Sequence, residues 1–152
     1  MSTVTITTAS EEEVRALGLW RRMREFNYRI VGRYPEGQNV WLNAKDPEGQ
    51  NVWLNAKDAE GNFLGGFRGE IYFQWLFVNV LFVEEPHRDK GIGTRLLAEG
   101  EAHARKLGAI RSRLDTFDWQ APAFYLKHGY RELLRWPDYY QGHSASLMVK
   151  DL

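Results

Sequence analysis

The chain contains no cysteine. That absence excludes disulfides, thiolate metal sites and a cysteine nucleophile together. It also lacks net charge, because 20 Lys and Arg are balanced by 20 Asp and Glu. The electrostatic footprint of a non-specific nucleic-acid or membrane-surface binder is therefore missing. No apolar run approaches the roughly 20 residues needed to cross a bilayer. The opening residues, Met1-Ser2-Thr3-Val4-Thr5, lack the basic and apolar blocks of a signal peptide, so a soluble cytoplasmic protein is expected. His87, His103, His128 and His143 share no metal-ligand spacing with one another or with carboxylates, and no metal is expected.

What is present fits one folded domain over residues 1–152. Hydrophobic residues make up 43% of the chain and charged ones 26%, which is too apolar for a disordered polymer. Aromatic content is high at 14%. Residues 35–46 read PEGQNVWLNAKD, and residues 47–58 read the same again. Two copies are too few for a solenoid, so the repeat reads as a tandem duplication of one strand and its turn. Because the period is even, Val52, Leu54 and Ala56 would present the same face as Val40, Leu42 and Ala44. Burial cannot choose between the copies, but the connection can. The turn Asp58-Ala59-Glu60-Gly61 carries the second copy straight into the strand that begins at Asn62. The first copy is expected to pair as an added strand, within the chain or across a homodimer.

Along the chain, Thr3 to Thr7 reads as a strand. Ser10 and Glu13 form a capping box before a helix expected over residues 11–28, with Val14, Leu17, Trp20, Met23 or Arg24, Asn27 and Ile30 at near-helical spacing. Residues 69–84 are strongly apolar, and residues 76–83 read as a central strand buried on both faces apart from Asn79. A glycine loop follows, and then a helix ending near Gly108. Residues 110–117 read as a strand, residues 122–128 as a short helix, and residues 130–134 and 144–149 as closing strands. Strands and helices mix without strict alternation, which indicates an α+β fold or a mixed sheet.

The loop carries the chemistry. Arg88, Asp89, Lys90, Gly91, Ile92, Gly93 and Thr94 stand between an apolar strand and a helix start. Glycines there let backbone N–H groups and the helix dipole approach an anion such as a pyrophosphate. Lys90 precedes Gly91, so this is not a Walker loop, and Leu96 replaces the third glycine of a dinucleotide fingerprint.

That R-x-x-G-x-G loop is followed by Ala121, Tyr125, Gly129 and Tyr130 in an A-x-x-x-Y-x-x-x-G-Y pattern. The two motifs, in this order over residues 76–130, resemble the GNAT superfamily of N-acetyltransferases. The resemblance implies a mixed, mostly antiparallel central sheet flanked by helices, with acetyl-coenzyme A as co-substrate and no metal. It implies that the pyrophosphate of coenzyme A sits on the amides of residues 88–94. The pantetheine arm would pair with Leu81, Phe82 and Val83. An asparagine that touches the cofactor commonly stands seven residues before the tyrosine, and here that position is Asp118. Tyr125 would protonate the departing thiolate, as a phenol of ordinary pKa about 10 can do.

The family's glutamate base does not carry over, because its position, eleven residues before Arg88, is Phe77. Glu84, Glu85, Asp115, His143 or an ordered water are left for that task. Trp136, Tyr139 and Tyr140 would line a substrate pocket, the core or a dimer contact. Two functions follow. One is acetyl transfer to a primary amine of a small molecule or peptide by direct transfer in a ternary complex. The other is a catalytically silent acyl-coenzyme A-binding regulatory domain.

Overall fold

The computed structural model describes residues 3–34 and 49–152. The first repeat copy, including the strand expected at residues 39–45, lies outside the described residues. So do Pro47 and Glu48.

Strand β1 (Thr5–Thr8) leads into α1 (Glu11–Leu17) and α2 (Leu19–Val31). The capping box forms as expected: Ser10 Oγ accepts from Glu13 N–H and Glu13 Oε2 accepts from Ser10 N–H, at 3.2 and 2.9 Å. The single helix expected here is two. Gly18 adopts φ +55°, ends α1 and starts α2, which closes at Val31 rather than Tyr28. The break resets the helical phase. Leu19, Met23, Phe26, Asn27 and Val31 turn inward, whereas Trp20 and Ile30 are 55% and 44% exposed.

The second repeat copy supplies β2 (Gln50–Lys57), which pairs antiparallel with β3 (Phe63–Tyr72). The turn between them is fastened by Asp58, whose carboxylate accepts from the Asn62 backbone and side chain at 2.8 and 2.9 Å. Arg68, 3% exposed, spans the same pair through bonds to Leu54 O, Phe67 O and Asn55 Oδ1. Residues 69–84 do not form one strand. Gly69 to Tyr72 end β3, Phe73 and Gln74 turn at φ +46° and +68°, and β4 (Trp75–Val83) returns.

The remaining elements are a 3₁₀ turn (Glu85–His87), α3 (Ile92–Lys106), β5 (Arg111–Phe117), α4 (Pro122–Lys127), β6 (Arg131–Tyr140) and β7 (His143–Asp151). Among the described residues the sheet has seven strands in the order β1-β2-β3-β4-β5-β7-β6, and of these only β4 and β5 run parallel. This is the mixed, mostly antiparallel sheet that the two motifs implied.

The central strand β4 alternates in burial rather than being buried on both faces, and it carries a bulge. Arg68 faces Val80 while Gly69 faces Val78, so Asn79 is the extra residue, and it is exposed. A bulge inverts which face a strand's side chains occupy. Before it, Leu76 and Val78 join the core under α3 with Phe67, Leu96, Leu97 and Leu114. Beyond it, Val80 and Phe82 join Leu19, Met23 and Phe26 under α2, and Leu81 and Val83 turn to the α3 side. Fully burying each such side chain contributes about 1.5–3 kcal/mol. The bulge thus lets one strand serve two cores.

Candidate active site

Strands β4 and β5 pair only at Trp75–Arg111, Leu76–Ser112 and Phe77–Arg113. Beyond those residues the ladder between them ends. The C-terminal half of β4 and residues 114–117 of β5 therefore flank an open seam in the middle of the sheet. Leu81, Phe82 and Val83 lie along the β4 side of it.

The loop 88–94 stands at the end of that seam. Arg88 is pinned: its Nε donates to Val83 O at 2.9 Å, and its guanidinium lies 4.5 and 5.5 Å from the Phe26 and Phe82 rings. Lys90 Nζ donates to Pro86 O at 3.0 Å. Asp89 and Gly91 both adopt left-handed φ, +59° and +78°. At Gly91 a side chain would be strained, and the space beside its Cα is open. The first helical bond of α3 runs from Arg95 N–H to Gly91 O, so the amides of residues 91–94 precede the helical ladder. Open space, free amides and a 15-residue helix behind them suit an extended phosphorylated ligand such as coenzyme A. Gly93 is closed in on its other side, where an added Cβ would touch Phe124 and Val83 at 3.6 and 3.7 Å. Thr94 is tied to α4. His128 Nδ1 donates to Phe124 O at 2.7 Å, which leaves Nε2 to accept from the Thr94 hydroxyl at 2.9 Å.

Tyr125 is 8% exposed in the same core, edge-on to Phe124 and Tyr130 at 5.2 and 5.6 Å. Burial pushes its phenol well above the ordinary range, so it keeps its proton throughout the neutral range. Tyr130 is raised for the same reason. Its hydroxyl lies 2.7 Å from Ser112 Oγ and donates to Glu101 Oε1 at 3.1 Å. Glu101 also accepts from Lys150 at 2.8 and 3.1 Å, which locks the middle of α3 onto β7.

On the opposite face, α2 reaches across to the β5–α4 connection. Asn27 Oδ1 accepts from Trp119 Nε1 at 3.1 Å and from Gln120 Nε2 at 3.2 Å, and Asn27 Nδ2 donates to the Tyr34 hydroxyl at 3.4 Å. Phe117 stacks on Trp119 at 4.3 Å, with Tyr139 5.6 Å from Phe117 and Tyr140 6.1 Å from Tyr34. Asp118 does not point freely at the seam. Its Oδ1 faces His143 Nδ1 at 2.8 Å and its Oδ2 accepts from Ser144 N–H at 2.9 Å. Those bonds, that from the Ser144 backbone foremost, hold its carboxyl below the usual range. Asn27 was legible only as the polar break in an apolar stripe. No sequence pattern linked it to Trp119 and Gln120, 92 and 93 residues away.

The candidate bases are dispersed. Glu84 is paired with Arg22, and Glu85 with Arg29 at 2.7 Å. Asp115 is exposed, 3.7 Å from Arg113. Among the described residues no group of three or more His, Asp and Glu gathers as a metal site, and no helix is long and apolar enough to cross a membrane.

Sheet order, parted parallel strands and the loop at the α3 terminus together define the acyltransferase fold implied by the two motifs. The description "Acetyltransferase (GNAT) family" matches residues 11–130, and the chain belongs to that family. Blasticidin-S acetyltransferase of Streptomyces morookaense is 45% identical over 89 residues. That match covers 58% of this chain and 65% of the relative, so the chain spans less than two thirds of its length. An acetyltransferase crystal structure from Bacillus cereus ATCC 14579 superposes with TM-score 0.67 at 32% identity, covering 97% of each chain. The PaiA N-acetyltransferase of Thermoplasma acidophilum, solved in complex with coenzyme A, shares the fold at TM-score 0.70 and 18% identity, covering 99% of each chain.

Proposed function

We propose that this chain is an N-acetyltransferase that moves the acetyl group of acetyl-coenzyme A directly to the primary amine of a small molecule. The observation that carries the reading is the parting of β4 from β5 beside the unladdered amides of residues 91–94. An arm laid in that seam would take strand-like bonds from Leu81, Phe82 and Val83 while its pyrophosphate rests on the loop. The bound thioester supplies the activated acetyl group. The residues of the chain hold it and manage protons.

Tyr125 is the proton donor for the departing sulfur. Its raised pKa keeps the phenol protonated at neutral pH, and a thiolate formed in the same dry core is made more basic by the same lack of water. The aromatic wall of Phe117, Trp119, Tyr139 and Tyr140 suits an acceptor with a flat or apolar body beside its amine. Blasticidin S, the substrate named for the relative, is the first acceptor to try.

The test is thiol release from acetyl-coenzyme A against blasticidin S, a streptothricin, spermidine and an alanine-terminated peptide, with the acetylated product identified by mass. One amine should be turned over faster than water. Coenzyme A binding without turnover of any amine would favour the silent regulatory domain instead.

A further inference from the structure

We propose that His143, oriented by Asp118, is the general base that takes the proton from the acceptor amine. This rests on the acetyl-transfer reading and supplies the one group that reading leaves without an owner.

The geometry begins with Asp118, the residue after β5. Its N–H donates to Ser144 O at 3.1 Å, and Ser144 N–H returns to Asp118 Oδ2 at 2.9 Å. That reciprocal pair fixes the carboxylate beside the first residue of β7. Asp118 Oδ1 then faces His143 Nδ1 at 2.8 Å. An ionised carboxylate only accepts, so the hydrogen sits on Nδ1, and in the neutral ring the lone pair is left on Nε2. The Trp119 ring stands edge-on to the imidazole at 4.8 Å and limits its rotation. Trp119 itself is held by Phe117 and Asn27, so the orientation is built from three elements.

Position agrees with the task. Phe117 and Ala145 are partners across β5 and β7, and Asp118 and His143 lie just beyond them, at the end of β5 where the seam is open. Tyr125 belongs to the core under α3, whereas His143 joins the aromatic wall that α2 faces. Acid and base thus stand on opposite faces of the sheet, at the end where the seam is open. Both side chains of the pair are 35% exposed, open enough to meet a substrate and return a proton to water. The other charged and titratable groups around His143 come from β6. Among the described residues they are its strand partner Tyr140, Asp138, which accepts from the adjacent Gly142 N–H at 2.7 Å, and Arg135, which donates to Ser144 Oγ at 3.0 Å. The carboxylates Glu84, Glu85 and Asp115 are engaged with arginines.

The balance is simple. The ammonium gives one proton to His143 Nε2, the freed nitrogen pair forms the N–C bond, and the C–S bond breaks with its electrons going to sulfur. Tyr125 protonates that sulfur and is repaid by the second proton leaving nitrogen. His143 passes the first to water.

Two measurements test this. Nitrogen NMR of the ring, which needs no substrate, should show the hydrogen of neutral His143 on Nδ1 and the lone pair on Nε2. Asp118→Asn should shift that tautomer balance. With blasticidin S or the fastest panel amine, His143→Gln should lower kcat/KM by about 10²–10³-fold and leave coenzyme A affinity within about twofold. It should also remove the acidic limb of log kcat/KM against pH, and imidazole in the buffer should restore activity to His143→Ala. A hydrogen on Nε2, or an acidic limb that persists in His143→Gln, overturns the base. A wild-type chain that binds coenzyme A but acetylates nothing overturns the transfer reading, and the base with it.

Discussion

The Glu101–Lys150 pair gives a prediction in which the two partners should not be equivalent. Glu101 is 5% exposed at its side chain and Lys150 21%. Removing the lysine with Lys150→Met strands a buried carboxylate that keeps the Tyr130 hydroxyl at 3.1 Å and has Arg105 only at 3.9 Å. Stranding a buried charge costs about 3–5 kcal/mol, and Arg105, half exposed and free to close in, places the figure at the lower end. Glu101→Gln is milder. The amide keeps the shape and can still accept from Tyr130 or Lys150, and Lys150 can turn its charge to water, so the loss is about 1–2 kcal/mol. At about 2–4 °C per kcal/mol for a chain of this size, Lys150→Met should melt roughly 6–12 °C low and Glu101→Gln roughly 2–8 °C low. Urea unfolding followed by the fluorescence of the six tryptophans gives both free energies. Equal losses, or a larger one for Glu101→Gln, would refute the assignment of the buried member. Lys150→Met combined with Arg105→Ala should lose more than the two separate changes added together.

Three further outcomes are expected. Tyr125→Phe should lower turnover by about 10²–10⁴-fold while coenzyme A affinity from calorimetry stays near wild type. Deleting residues 35–46 leaves one copy of the repeat and keeps β2, so the shortened chain should fold and still gain melting temperature from coenzyme A. Loss of that gain would make the repeat part of the working site. Asp118 has its folded-state pKa lowered below 3.8, so its contribution to stability is full above that value and fades as pH falls through the lowered one. Wild type should therefore lose its stability advantage over Asp118→Asn in acid below about pH 4, and an unchanged difference there would contradict the bond to Ser144.

What could be read from the residues was whatever is local. The capping box, the glycine loop, the A-x-x-x-Y-x-x-x-G-Y segment and the strand after the second repeat copy each depend on neighbours a few positions apart. The Gly18 break was hidden because an apolar stripe continues through it at nearly helical spacing. Only the structure shows that Leu19 rather than Trp20 faces the sheet. The bulge at Asn79 was hidden for a similar reason. Residues 76–83 are apolar at almost every position, so alternation could not reveal where the strand changes faces. The site divides along the same line. The loop and Tyr125 announce themselves by spacing, whereas Asn27, Trp119, Asp118 and His143 meet only through the crossing of α2, β5 and β7.

The most direct measurement is calorimetric titration of coenzyme A into wild type, Gly91→Ala and Gly91→Glu. The alanine variant carries the strain of a side chain at φ +78°, about 1–2 kcal/mol, without charge. The glutamate variant adds a carboxylate where the pyrophosphate should lie. Two unit charges about 4 Å apart near a protein surface repel by about 4 kcal/mol, so allowing for screening its affinity should fall at least about a hundredfold below that of the alanine variant. One-to-one binding by wild type, retained by Gly91→Ala and lost in Gly91→Glu, is the expected result. Wild-type affinity in Gly91→Glu, or no binding by wild type, would contradict the placement of coenzyme A on the amides of residues 91–94.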